Sequence, residues 1–228
     1  MIAVAQARPS ERAEFIKRTY LHLAGAVGAF IVVEFLLFQL GIAEMLARFA
    51  FSGRLGWIAL LGGFALLGYL SSGMVAKADD VNTQYKGLGI YVIGEAIIFA
   101  PLLYAAAFFS GDASLIPTAA IITLFMFAGL TAIVFTTGKD FSFLGGILKI
   151  GGMVAMGLIV ASLVFGFSLG VFFAFIMVAF ASAAILYQTS RIMKHYATHQ
   201  YVAASLQLFS SVMLLFWYVL RILMSSRR

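Results

Sequence analysis

Three ionisable side chains lie inside long apolar runs: Glu34, Glu95 and Lys149. A charge in hydrocarbon is costly, so each of these groups must be neutral, paired or in contact with water, and each is a candidate for ion or proton work. Counted from the start of their runs, Glu95 and Lys149 both lie about eight residues in, ~12 Å below the same surface at ~1.5 Å per residue. The equal depth predicts a buried ion pair, because a compensated pair costs less than two lone charges. The functional reading makes Glu95 a proton or cation ligand in an inner cavity. The plainer readings are a structural pair, a neutral Glu95 bonded to a neighbouring helix, or a Lys149 whose long stem carries its charge to the headgroups. Glu34 lies near the middle of the first run, where a carboxyl is a structural neutral acid unless it faces water.

Other chemistry finds less support. His195 and His199 stand four residues apart, a spacing that could hold a metal on a helix, but no third ligand is near and no metal site is expected. There is no cysteine, which excludes disulfides, thiolate metal sites and cysteine nucleophiles. No HExxH, Walker loop, GxSxG or catalytic carboxylate pair occurs, so neither an enzyme nor a cofactor is expected.

The elements that position these groups follow from composition. With 63% hydrophobic and 11% charged residues and a mean hydropathy of +1.05, the 228-residue chain cannot supply the polar shell of a soluble domain. Its apolar runs of roughly 20 residues match the ~30 Å of bilayer hydrocarbon. In lipid, every backbone polar group of such a run must be satisfied within it, which makes it a helix. Continuous runs such as 121–134 lack the alternation of a membrane β-barrel.

The expected fold is all-α and polytopic, with seven spans near residues 20–46, 57–75, 87–109, 116–137, 141–164, 170–188 and 201–224. Polar tails occupy 1–18 and 225–228. The first run is too long for a cleaved leader and reads as a span. Pro117 suits a first helical turn, and Pro101 predicts a kink just beyond Glu95. Gly145, Gly146, Gly151, Gly152 and Gly157 make the fifth span thin, and Gly166 and Gly170 have a spacing that lets membrane helices approach closely.

Short loops on the N-terminal side carry nine Lys and Arg (Arg8, Arg12, Lys17, Arg18, Lys77, Lys86, Lys139, Arg191, Lys194). The other side carries five (Arg48, Arg54, Arg221, Arg227, Arg228). The excess predicts a cytoplasmic N-terminus. The net charge of +6 sits at the ends of apolar runs, where it meets lipid headgroups, and no nucleic-acid partner is expected.

The second half carries recognisable segments. Lys139-Asp-Phe-Ser-Phe-Leu144 opens the fifth span, and Ile185-Leu-Tyr-Gln-Thr-Ser-Arg-Ile192 closes the sixth. The seventh holds Ala204-Ser-Leu-Gln-Leu208 and Leu215-Phe-Trp-Tyr-Val-Leu-Arg-Ile-Leu223. These resemble the Bax inhibitor-1 family, most strongly over residues 136–223. The resemblance implies a seven-helix fold whose seventh helix is surrounded by the other six, in bacteria within the cytoplasmic membrane. It also implies links to calcium leak and, in eukaryotes, to suppression of cell death.

One departure bears on mechanism. The family pattern Ile-Leu-Tyr-Asp has Gln188 at its acid. A second family aspartate in the seventh span falls on Phe209 when aligned forward from Ser205, or on Ser211 when aligned back from Arg221. In the family the two carboxylates share a proton and act as a pH-sensitive latch, the behaviour of a close, coupled pair. Gln188 and Ser211 can hydrogen-bond but cannot titrate. The chain is therefore either a non-conducting relative latched by a Gln188–Ser211 contact, or a calcium or proton pathway whose acidic function has moved to Glu95. A different class of reading is an interaction protein that regulates another membrane complex, such as a quality-control protease.

Overall fold

In the computed structural model, residues 4–77, 80–112 and 114–226 are described. Residues 1–3 of the N-terminal tail, Ala78, Asp79 and Ala113 of two predicted turns, and the basic pair Arg227 and Arg228 lie outside them. After a single 3-10 turn (Val4–Gln6), the described residues form eight helices. They are α1 (Pro9–Gln39), α2 (Ile42–Phe51), α3 (Arg54–Lys77), α4 (Val81–Phe108), α5 (Leu115–Thr137), α6 (Leu144–Phe165), α7 (Gly170–Lys194) and α8 (Tyr201–Ser226). All but α2 are long and apolar enough to cross a membrane, and the chain is a multi-pass helical membrane protein.

The expected first span, 20–46, is corrected at both ends. Pro9 is the first residue of α1, where its missing N–H costs nothing, so half of the supposed polar tail is helix. At the other end the chain breaks at Gly41, whose φ of +72° is a conformation glycine adopts without a steric cost. Beyond the break lies the separate ten-residue α2, burying Ala43, Ala47 and Ala50 and exposing Met45 and Phe49.

The third span starts earlier than 87. Asp80 caps it, with Oδ1 accepting from the Asn82 N–H at 3.0 Å and Oδ2 from the Thr83 N–H at 3.1 Å, so polar residues assigned to a loop form its first turn. The sixth span continues past 188 to Lys194. α4 is helical through Pro101 without a break.

The centre of the bundle is shared. α8 packs on α1, α4, α5 and α7, yet α4 is the most thoroughly buried span and α6 the least. The expectation of a seventh helix ringed by six others holds apart from α6, which packs on α7 and α3 instead. Phe99 of α4 is the hub between the first, third and seventh spans. It stacks on Phe216 at 5.7 Å and meets Trp217 and Phe30 edge to face at 4.9 and 5.3 Å, contacts worth about 0.5–1.5 kcal/mol each beyond area burial.

Glycines act as the sequence suggested in α6 and differently at its end. A Cβ on Gly145 would lie 3.0 Å from the Tyr187 ring, and one on Gly151 would lie 3.1 Å from Phe180, so small residues set the α6–α7 approach. Gly166 and Gly170 are not a packing motif. Both have positive φ (+77° and +68°) and turn the chain between α6 and α7. Arg54 lies over Gly166 and donates Nη1–H to the Val164 carbonyl at 3.2 Å, capping the end of α6.

The N-terminal turn folds back under the bundle. Val4 is fully buried, its N–H donating to the Tyr196 carbonyl at 2.9 Å, and Phe15 packs on the Tyr196 ring at 6.5 Å.

Candidate functional site

Glu95 is the acid the fold treats most deliberately. Only 5% exposed, it sits on α4 one turn after Tyr91, so the two side chains share a face. Gly94 brings α3 close at this level, since a Cβ there would lie 3.3 Å from Leu67. The Tyr91 ring is held by Phe64 at 5.8 Å and Phe209 at 6.2 Å. Its hydroxyl donates to Ser210 Oγ on α8 at 2.9 Å, with the Glu95 side chain as its neighbour one turn along α4.

The predicted Glu95–Lys149 pair is absent. Lys149 is exposed on α6, which does not pack on α4, and it forms no salt bridge among the described residues. Equal depth does not make a pair, because the two side chains lie on different sides of the bundle. Glu34 is 6% exposed with neither carboxyl oxygen bonded among the described residues. Phe30 meets Phe99 and Phe38 meets Phe108, which puts Glu34 about eight residues, or ~12 Å, further along the bundle than Glu95. The two acids are therefore separate sites.

The Gln188–Ser211 latch is also corrected. Gln188 Nε2 donates to Gln207 Oε1 at 3.5 Å, and its own Oε1 is unbonded. The Ser211 hydroxyl donates to the Gln207 carbonyl at 3.1 Å. Since Gln188 faces position 207, Ser211 lies one further helical turn along α8, ~6 Å away. Gln207 was missed. Its signal was available: it is a polar residue one turn before Ser211 in an apolar run.

His195 and His199 do not share a helix. α7 ends at Lys194, and His195 Nε2 instead donates to Ser142 Oγ at 3.0 Å, since the Ser142 proton is given to Asp140. This belongs to a second unforeseen cluster, built from the Lys139–Leu144 segment. Asp140 Oδ1 accepts from the Ser142 N–H at 2.9 Å and the Ser142 hydroxyl at 2.5 Å. Ser190 Oγ accepts from the Phe141 N–H at 3.0 Å, and Lys194 and His195 approach Asp140 at 3.8 and 3.7 Å. The hydrogen bonds from Ser142 hold the Asp140 carboxyl down at about 2. The cluster fixes the α5–α6 connection to the end of α7.

Seven apolar helices with two buried carboxyls, and no metal-ligand group of three or more among the described residues, define a polytopic membrane protein with internal acids. Residues 12–228 match the family model described as inhibitor of apoptosis-promoting Bax1, and the chain belongs to the Bax inhibitor-1 family. It is 29% identical to the protein named Bax inhibitor 1 of Schizosaccharomyces pombe over 232 aligned positions, covering 96% of this chain and 79% of that one. An uncharacterized protein of Pseudomonas aeruginosa is 40% identical over 112 residues, 48% of this chain and 49% of the relative, so that match spans about half of the relative's length. An uncharacterized protein of Neisseria meningitidis is 28% identical over 180 residues, 77% of this chain and 76% of the relative. No solved structure matches the chain.

Proposed function

We propose that this chain is a pH-responsive cation leak pathway, with calcium as the principal ion, whose titrating group is Glu95 in place of the family's aspartate pair. The observation that carries this reading is the buried Glu95 on the same face of α4 as Tyr91, whose hydroxyl bonds Ser210 on α8, one residue from either position of the missing helix-seven aspartate. Gln188 and Gln207 meet where a first acid would stand and hold α7 to α8 without a proton equilibrium. The reading places the protein in a bacterial cytoplasmic membrane with its N-terminus inside, on the excess of Lys and Arg in the loops of that side. It assigns no catalysis.

Calcium flux into liposomes, followed between about pH 6 and 8, tests it with wild type beside Glu95→Gln and Tyr91→Phe. Flux that changes with pH in wild type and loses that dependence in Glu95→Gln supports the reading. No flux in any of the three supports a closed, non-conducting relative.

A second reading rests on α6, whose outer face is left uncovered along its length by the other spans. A membrane protein that regulates another complex would dock on such a face. Co-purification of a partner after mild detergent extraction, lost on placing bulky residues at Gly146 and Gly157, would favour it over flux by the isolated protein.

A further inference from the structure

A groove of about 490 Å³ runs along the outside of the bundle between α1 and α4. Its α1 wall is a stripe at every fourth residue that includes Gly25, Ala29 and Val33, and α4 contributes Gly89. A Cβ built on Gly25 or Gly89 would meet nothing within 4 Å, so the space is open. The groove is apolar except at the end nearer the N-terminus, where His22 and Tyr85 close it. From His22 to Val33 it extends ~17 Å at ~1.5 Å per residue, close to half of the ~30 Å hydrocarbon layer, the depth of one leaflet.

The polar end is charged on one side of the balance. His22 Nδ1 lies 2.6 Å from the Arg18 carbonyl, which can only accept, so Nδ1 carries a proton, and Nε2 shares a hydrogen bond with the Tyr85 hydroxyl at 2.6 Å. Both rings are thereby fixed at the mouth. One turn below, Lys17 continues the groove's own stripe, and Arg18 stands over the Tyr201 ring at 5.5 Å. Lys86 follows Tyr85, and all three cations are exposed. Against them stands Glu14, which accepts from Arg18 Nε at 2.7 Å. Basic residues at the end of an inter-helix groove on one face of a membrane attract anionic headgroups.

We infer that the groove is a binding site for an anionic phospholipid, with one acyl chain lying between α1 and α4 and the phosphate held among Lys17, Arg18 and Lys86. The occupant is drawn from the leaflet on the N-terminal side. A chain that fits a single-leaflet slot under a net positive mouth accounts for the length, the small-residue walls and the charge together. The inference does not depend on whether the protein conducts ions.

Native mass spectrometry of the full-length protein in neutral detergent, titrated with phosphatidylglycerol or phosphatidylcholine of equal chain length, provides the test. Wild type is expected to retain one phosphatidylglycerol about tenfold more tightly than phosphatidylcholine. Lys17→Gln, Arg18→Gln and Lys86→Gln should each cut that preference about twofold, while Gly25→Leu with Gly89→Leu should abolish retention of both lipids. Should the double variant fail to fold, Ala29→Phe blocks the same exposed slot and carries the same expectation. Equal retention of the two lipids, or undiminished retention in the filled groove, would overturn the inference. So would a dimer that the groove-filling substitutions dissociate, since a second copy would then be the occupant.

Discussion

Tyr91 of the third span and Ser210 of the seventh are joined by a 2.9 Å hydrogen bond, one turn along α4 from the buried Glu95. Tyr91→Phe keeps the ring between Phe64 and Phe209 and removes only the hydroxyl. It should destabilise the protein by about 1 kcal/mol, the scale of an interhelical hydrogen bond in a membrane. Denaturant titration in micelles measures this. Tyr91→Ala, which also empties the ring's space, should cost about 3–5 kcal/mol.

Gln188 and Gln207 are predicted to be coupled, and Gln188 and Ser211 are not. A double-mutant cycle with Gln188→Ala and Gln207→Ala should give an interaction energy of about 0.5–1 kcal/mol. The cycle through Gln188→Ala and Ser211→Ala should close within about 0.3–0.5 kcal/mol. A large coupling in the second cycle would refute this register of α7 against α8.

Asp140 makes the α5–α6 connection sensitive to acid. Folding lowers this carboxyl from 3.8 to about 2 through the hydrogen bonds of Ser142, so the folded form binds fewer protons than the unfolded one. Its contribution is complete above about pH 4 and is lost as pH falls toward 2. Hydrogen exchange of the amides of residues 141–145 should quicken over that interval in wild type. In Asp140→Asn it should be faster throughout and independent of pH there, once the intrinsic exchange rate is subtracted.

Gly166 carries two constraints that can be separated. A Cβ would lie 2.1 Å from the Arg54 guanidinium, and φ is +77°. Gly166→Ala should cost the ~1–2 kcal/mol of a left-handed residue plus only the bond to the Val164 carbonyl that Arg54 gives up as its guanidinium swings aside. In an Arg54→Ala background the clash disappears and only the backbone part should remain, which thermal unfolding of the four proteins in the cycle will read.

Lys149→Leu is not expected to destabilise the protein, since Lys149 is exposed on α6 without a salt bridge among the described residues and the substitution removes a charge from an apolar span. It should add independently to Glu95→Gln. Greater damage from Lys149→Leu alone than from both substitutions together would restore the buried pair.

The seven spans were legible because a run of apolar residues fixes both length and helical state in lipid. Their ends were less so. Gly41, Pro9 and Asp80 set boundaries through a positive φ, a tolerated missing donor and a side-chain cap, and none of these shows as a change in hydropathy. Of the candidate site, the acids themselves were legible and their partners were not. Counting residues gives depth along the bundle but says nothing of the angle around it, so Glu95 and Lys149 could match in one coordinate and miss in the other. The latch failed differently: anchoring on motifs at either end of α8 left the register between them open, and Gln207, rather than Ser211, occupies the turn that faces Gln188.

The bond from the Val4 N–H to the Tyr196 carbonyl has a consequence for biogenesis. Val4 leaves the ribosome ahead of all seven spans and Tyr196 only after six of them have been made. The Val4–Gln6 turn must wait, undocked, through most of vectorial insertion, and its closure bridges six intervening spans. A bulky fusion ahead of Val4 would burden that late step, while the same fusion after the last helix would leave it untouched.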